Sequence, residues 1–160
     1  MTGQSYSSSI TANITAAEAA ERICRVAEWW TASVTGNSSR EGDSFKLLWG
    51  DTFVDFTVAE VIPAEKIVWQ VTDCNLAFIS DKKEWKGTQV VFEISSSGDS
   101  TTVTMTHIGL MPHVECYETC NKGWNFYITE SLQNLLRENV GFPDMRGKRE
   151  ITEHATVASR

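Results

Sequence analysis

Apolar and polar residues alternate with period two through five segments in the middle of this chain, the pattern of half-buried β-strands. Phe45, Leu47 and Trp49 share one parity, as do Val54, Phe56 and Val58, then Ile67, Trp69 and Val71, Val90, Phe92 and Ile94, and finally Val103, Met105 and His107. The opposite parity carries Lys46, Asp55, Thr57, Lys66, Gln70, Thr72, Gln89, Glu93 and a run of threonines. This predicts an antiparallel sheet with one wet face and one that must be covered. Gly50-Asp51 fits a two-residue hairpin, Pro63-Ala-Glu65 a turn, and residues 96–100 the link between the last two strands. Residues 6–14 read as a further strand at the start, 35–43 as loop or irregular edge, and 74–84 as a loop. Glu60 shares parity with Phe56 and Val58, which would set it at the mouth of any cavity.

The period changes after Gly109 and Pro112. Cys116, Cys120, Trp124, Tyr127, Ile128, Ser131, Leu132 and Leu135 recur at steps of three and four, so they lie on one face of a helix. The phase runs unbroken through Gly123 and predicts a single helix from about Pro112 to Asn139, stopped by Gly141 and Pro143. Near the start, Thr15-Ala-Ala-Glu18 is a capping box that opens an Ala-rich helix to Cys24. Val26 to Trp30 continues that helix or forms a second short one. These helical regions are the available cover for the apolar face of the sheet.

Composition narrows the partners. The formal charge of −7, from 21 acidic and 14 basic residues, argues against nucleic acid, which needs a basic face. No segment approaches the roughly 20 apolar residues of a membrane span, and the polar start is no signal peptide, so a cytoplasmic location is expected. Cys24, Cys74, Cys116 and Cys120 are then reduced thiols, and the Asn-X-Ser/Thr triplets at Asn13 and Asn37 carry no meaning as glycosylation sites. The length suits one domain over residues 6–142, with a flexible N-terminus at 1–5 and a charged C-terminal extension at 143–160. Six Trp is rich for such a chain; they fit either a core of large side chains or a cavity with flat, amphipathic walls.

His107 is the most chemically suggestive side chain. Its parity aims it inward beside Met105, where an imidazole could anchor a ligand or exchange a proton near neutral pH; the simpler alternative is a structural histidine bonded to backbone or helix. His113, Cys116 and Cys120 stand at i, i+3 and i+7, which invites zinc. One helix face would spread those ligands over about 10 Å, so no metal and no cofactor is expected, and the two thiols read as small buried side chains. No nucleophile elbow, phosphate-cradling glycine loop, His-Glu-X-X-His or Cys-X-X-Cys motif occurs. An enzyme is therefore not the expected reading, although scattered pocket residues could still catalyse.

In the order strand, two short helices, antiparallel strands and long C-terminal helix, the chain resembles the START-like, or SRPBCC, superfamily, and within it the domain family of activators of the heat-shock ATPase (Aha1-like). The resemblance covers residues 6–140. It rests on Trp29-Trp30, on the stretch Val61-Ile-Pro-Ala-Glu-Lys-Ile-Val68, on Val103-Thr-Met-Thr-His-Ile-Gly-Leu110 and on Gly123-Trp124. It implies an α+β helix-grip fold, also called birch-pollen-allergen-like: a curved antiparallel sheet around the long helix, with two short N-terminal helices. It further implies a hydrophobic cavity that in different branches holds lipids, hormones or polyketides, or performs cyclisation or hydrolysis. On this basis the expected function is binding of a small apolar or amphipathic molecule. Trp30, Trp49, Phe56, Trp69, Phe92, Met105, Trp124, Tyr127 and Ile128 would be the walls and His107 the polar anchor. A chaperone-associated interaction domain and a cavity enzyme are the alternatives. The partners expected are a small hydrophobic ligand and a protein, with the chain a monomer or weak homodimer.

Overall fold

The computed structural model describes residues 5–77, 79–110 and 117–144. One sheet of seven strands runs in the order β1-β7-β6-β5-β4-β3-β2, every neighbouring pair antiparallel. The strands are β1 (Tyr6–Ala12), β2 (Val34–Gly36), β3 (Ser44–Trp49), β4 (Thr52–Ile62), β5 (Lys66–Asn75), β6 (Gln89–Ser97) and β7 (Ser100–Ile108). β1 pairs with β7, the most distant strand in sequence, so it is the long N-to-C contact that completes the sheet. β2, a three-residue strand, occupies part of the segment read as loop or irregular edge. Register shifts in β4, at Asp55/Phe56 and Val58/Glu60, bend the sheet.

The second shift corrects the placement of Glu60. One residue, Ala59, is taken up by the bulge, so every side chain beyond it changes face. Glu60 opposes Val68 on the outer face and pairs with Lys66 at 3.4 Å, away from any cavity mouth.

Helix α1 (Ala16–Ile23) begins with the expected box: Thr15 Oγ1 accepts the Glu18 amide at 3.0 Å and Glu18 Oε1 accepts the Thr15 amide at 3.1 Å. The short α2 (Val26–Trp29) delivers Trp29 and Trp30 to the interior. The C-terminal helix comprises α3 (Tyr117–Phe126), a π-helical segment (Tyr127–Leu132) and α4 (Gln133–Glu138). Residues 111–116, with His113 and Cys116, lie outside the described residues, as does the start of the helix expected at Pro112. Of the inward set, Cys120, Trp124, Tyr127, Ile128, Ser131, Leu132 and Leu135 are all buried. Asn139 ends the helix in the left-handed conformation (φ 64°). Arg22 reaches from α1 to that end, its Nη1 donating to the carbonyl of Leu136 at 2.7 Å, a cation at the negative pole of a helix.

The chain after the helix stays attached to α2. Ser131 Oγ donates to the Trp29 carbonyl at 2.6 Å and accepts the Phe142 amide at 2.7 Å. Gly141 lies so close to α2 that a Cβ there would sit 3.0 Å from Trp29 Cα. Asp144 accepts the Ala32 amide at 2.8 Å and donates its own amide to Trp30. These ties extend past residue 142 into the stretch read as extension. Ser131→Ala deletes both hydroxyl bonds, one of them to the buried Trp29 carbonyl and the other from the partly buried Phe142 amide. It is expected to cost about 1–3 kcal/mol, read as a lower midpoint in urea at unchanged slope. A change under 0.5 kcal/mol would rule out this anchoring role. Among the described residues no helix is long and apolar enough to cross a membrane.

Candidate functional site

Sheet parity converges on aromatic side chains that fill the interior. Trp69, in the middle of β5, lies nearly parallel to Trp29 and Trp30, with ring centroids 6.5 and 6.4 Å away. Phe45 and Phe92 meet it edge-on at 5.0 and 4.9 Å, and Phe56 lies at 5.8 Å. Such offset and edge contacts are the preferred aromatic geometries. Phe56, Trp69, Phe92, Met105 and Ile128 are therefore core, each at most 1% exposed, and none of them borders the cleft described next. The physical reason lies in α2, whose two consecutive indoles occupy the space between sheet and helix that an open cavity would need.

Where this core ends, toward the β3–β4 hairpin, the surface opens into a cleft of about 330 Å³. Trp30, Trp49, Trp85 and Trp124 surround it, with Val54 and Leu76 from the strand side and Cys120, Gly123 and Tyr127 from the helix; Thr52 and Thr119 complete the lining. Among the described residues no charged side chain lines it. The volume is at the small end of the range for ligand sites, and the lining is of the mostly apolar kind such sites use. Of the ten residues expected from sequence, Trp30, Trp49, Trp124 and Tyr127 come together here.

His107 sits behind this wall, fully buried, with both ring nitrogens engaged. Trp124 Nε1–H donates to His107 Nδ1 at 3.0 Å, and an indole nitrogen can only donate, so Nδ1 carries the lone pair. On the other side, Nε2 stands 2.8 Å from Thr88 Oγ1. The Thr88 hydroxyl proton is already given to the Trp85 carbonyl at 2.6 Å, so Oγ1 accepts and Nε2 carries the ring proton. Burial drives the pKa of His107 down to about 3. It is thus a neutral imidazole of fixed tautomer. Trp85 stacks parallel to Trp124, with centroids 6.0 Å apart, and meets the His107 ring edge-on at 4.5 Å.

Sequence reading did not expect Thr52, Val54, Thr119, Cys120 or Gly123 in the lining, and it gave Trp85 and Leu76 no inward face at all. Both lie between β5 and β6, in a connection without hydrophobic period, so nothing local gives them a face. The signal that could have found Trp85 was its size: a large indole in a polar, turn-rich segment is costly unless it returns to the core. A bond from the Leu76 amide to the Lys82 carbonyl at 2.8 Å closes part of the connection on itself, and the Ala77 amide ties it to Thr52 Oγ1 of β4 at 3.0 Å.

A wider depression, about 620 Å³, lies on the outer face over Val68 and Val91, rimmed by Glu41, Glu60, Lys66 and Glu93. It belongs to the wet face of the sheet, where Lys66 and Glu60 of its rim pair with one another. Cys24, Cys74 and Cys120 are free thiols. Burial pushes Cys24 up to about 11 and raises Cys74 as well, which keeps both as thiols rather than nucleophilic thiolates at neutral pH. Among the described residues no cluster of His, Cys, Asp and Glu could hold a metal ion.

The model of the activator of Hsp90 ATPase homolog 1-like protein family matches residues 22–137. The solution structure of the Aha1 dimer from Colwellia psychrerythraea superposes with TM-score 0.67 at 20% identity, covering 84% of this chain and 96% of that one. Protein SSP2350 from Staphylococcus saprophyticus gives 0.65 at 14% identity, over 87% of this chain and 96% of that one. Protein MLL2253 from Mesorhizobium loti gives 0.64 at 16%, over 82% and 96%. At these identities the likeness concerns the fold. No curated protein matches the chain significantly.

Proposed function

The chain belongs to the activator of Hsp90 ATPase homolog 1-like family, and from that premise we propose that it binds a small, uncharged, flat apolar molecule in the tryptophan-walled cleft. The observation that carries this reading is the convergence of four indoles on one opening that, among the described residues, no charged side chain lines. Indole faces bury large areas of a planar guest, and each Å² of apolar area removed from water contributes about 25 cal/mol. Thr52 and Thr119 supply hydroxyl groups in the lining, and a guest with one hydroxyl or carbonyl at its edge suits them. Protein interaction is the second reading; it draws on the Val68–Val91 depression of the outer face, where Ile108 is 47% exposed.

A thermal-shift screen of flavonoids, polyketides, sterols and fatty acids tests the first reading. A compound at about 100 times its dissociation constant is expected to add about 2.7 kcal/mol of stability and to quench indole fluorescence. Gly123 supplies the blocking variant. It lines the cleft from α3, and a Cβ there meets no atom within 4 Å. Gly123→Phe is expected to fill the opening and abolish the shift. Gly123→Ala should keep the shift and gain up to about 1 kcal/mol from helix propensity. A screen in which no compound moves the melting temperature, or hits that survive Gly123→Phe, would remove the cleft reading and leave the interaction domain in its place.

A further inference from the structure

We propose that His107 is the positioning residue of the cleft: without lining it, His107 sets two of its four indole walls through opposite ring nitrogens. One arm is direct, from Nδ1 to the Trp124 indole N–H at 3.0 Å. The other runs from Nε2 through Thr88 Oγ1 to the main-chain carbonyl of Trp85, at 2.8 and 2.6 Å. The Thr88 amide donates to the same carbonyl at 3.0 Å, so Thr88 clasps Trp85 twice. Gly109 keeps this clasp seated. Its φ is +106°, and a Cβ there would come within 2.7 Å of Thr88 Cγ2, so no larger residue fits beside the threonine. The helix wall and the β5–β6 connection, which share no strand pairing, are thereby keyed to one imidazole. The parallel stacking of Trp85 on Trp124 is the result of that keying.

The inference rests on the cleft being the functional site, but its first readout needs no ligand. Two variants separate hydrogen bonding from packing. Thr88→Val keeps the shape and deletes the hydroxyl; Thr88→Ser keeps the hydroxyl and deletes the methyl. In proton–nitrogen spectra of protein labelled at tryptophan, Thr88→Val is expected to shift the indole signals of both Trp85 and Trp124 and to speed hydrogen exchange of the Trp124 N–H at least tenfold. Thr88→Ser should leave both near wild type. The second readout is the fluorescence of N-phenyl-1-naphthylamine, a neutral flat probe: its dissociation constant should rise at least fivefold in Thr88→Val and recover in Thr88→Ser, at temperatures where both remain folded. Unchanged indole signals in Thr88→Val overturn the positioning role, and so does a serine variant as perturbed as the valine. If the probe does not bind the wild type, the cleft reading fails for this ligand class, and the indole spectra still decide whether His107 positions the two rings.

Discussion

Acidification from pH 7 to pH 4 is expected to remove about 3 kcal/mol of folding stability through His107 alone. In the unfolded chain its imidazole takes up a proton near pH 6.5, whereas in the folded protein burial holds its pKa at about 3. Between those values the unfolded state binds the extra proton, so stability falls as pH falls, by about 1.4 kcal/mol for each unit below 6.5. Above pH 6.5 both states are neutral and the contribution is complete. Below about 3 the loss levels off. The geometry explains why the folded state resists the proton. Nδ1 faces the Trp124 N–H, so a proton there would set donor against donor in a site with no solvent. Exposed carboxylates move in the same direction: hydrogen bonds from Thr15 hold Glu18 below its usual range, and Lys83 does so for Asp73. A difference measurement isolates the histidine. Urea midpoints between pH 4 and 7 should fall more steeply in wild type than in His107→Gln, which does not titrate there. Equal slopes would show that His107 is protonated in the folded state and would break the tautomer assignment.

That tautomer was beyond the reach of sequence, although the position of the residue was not. Period-two parity placed Trp69, Met105 and His107 on the inner face, and helix phase placed Trp124 and Ile128 opposite them; all five are buried as aimed. Parity reports which face a side chain takes, not how far into the interior it ends, and that depth decides whether it becomes core or cleft. The deciding element is α2, a single turn that with its capping residue sets the Trp29-Trp30 pair in the middle of the grip and leaves the end beside the β3–β4 hairpin open. Two failures have different causes. Glu60 was misplaced because the bulge at Ala59 shifts the register, and no local residue pattern marks it. Trp85 was left out because the β5–β6 connection has no period to read, while its position is set from β7 through Thr88 and His107, about twenty residues along the chain. Apart from the three-residue β2, the order of elements was legible because the other strands and the helices signal themselves locally.

The same aromatic core predicts a large loss of stability at Trp30. Its ring lies 4.6 Å from Trp124, 5.5 Å from Trp29 and Trp49, and 5.9 Å from Phe56, so it joins the core to the cleft wall. It is 3% exposed. Trp30→Ala should cost about 3–5 kcal/mol, the range for truncating a buried aromatic whose neighbours cannot collapse into the space. For a domain of this size that lowers the melting temperature by roughly 10 °C. The void would be on the order of 150 Å³, a size that admits a benzene-like guest. Because Trp30 borders the cleft, this void would communicate with solvent, which distinguishes it from one left by Trp69. Added indole is therefore expected to raise the melting temperature of Trp30→Ala in a saturable way and to do so far less in Trp69→Ala, whose void is sealed by Trp29, Phe45 and Phe92. A loss below 1 kcal/mol for Trp30→Ala would show that the ring is not the junction drawn here. Equal rescue of the two variants would show that the sealed core admits small molecules as readily as the cleft, and the division between core and site would have to be redrawn.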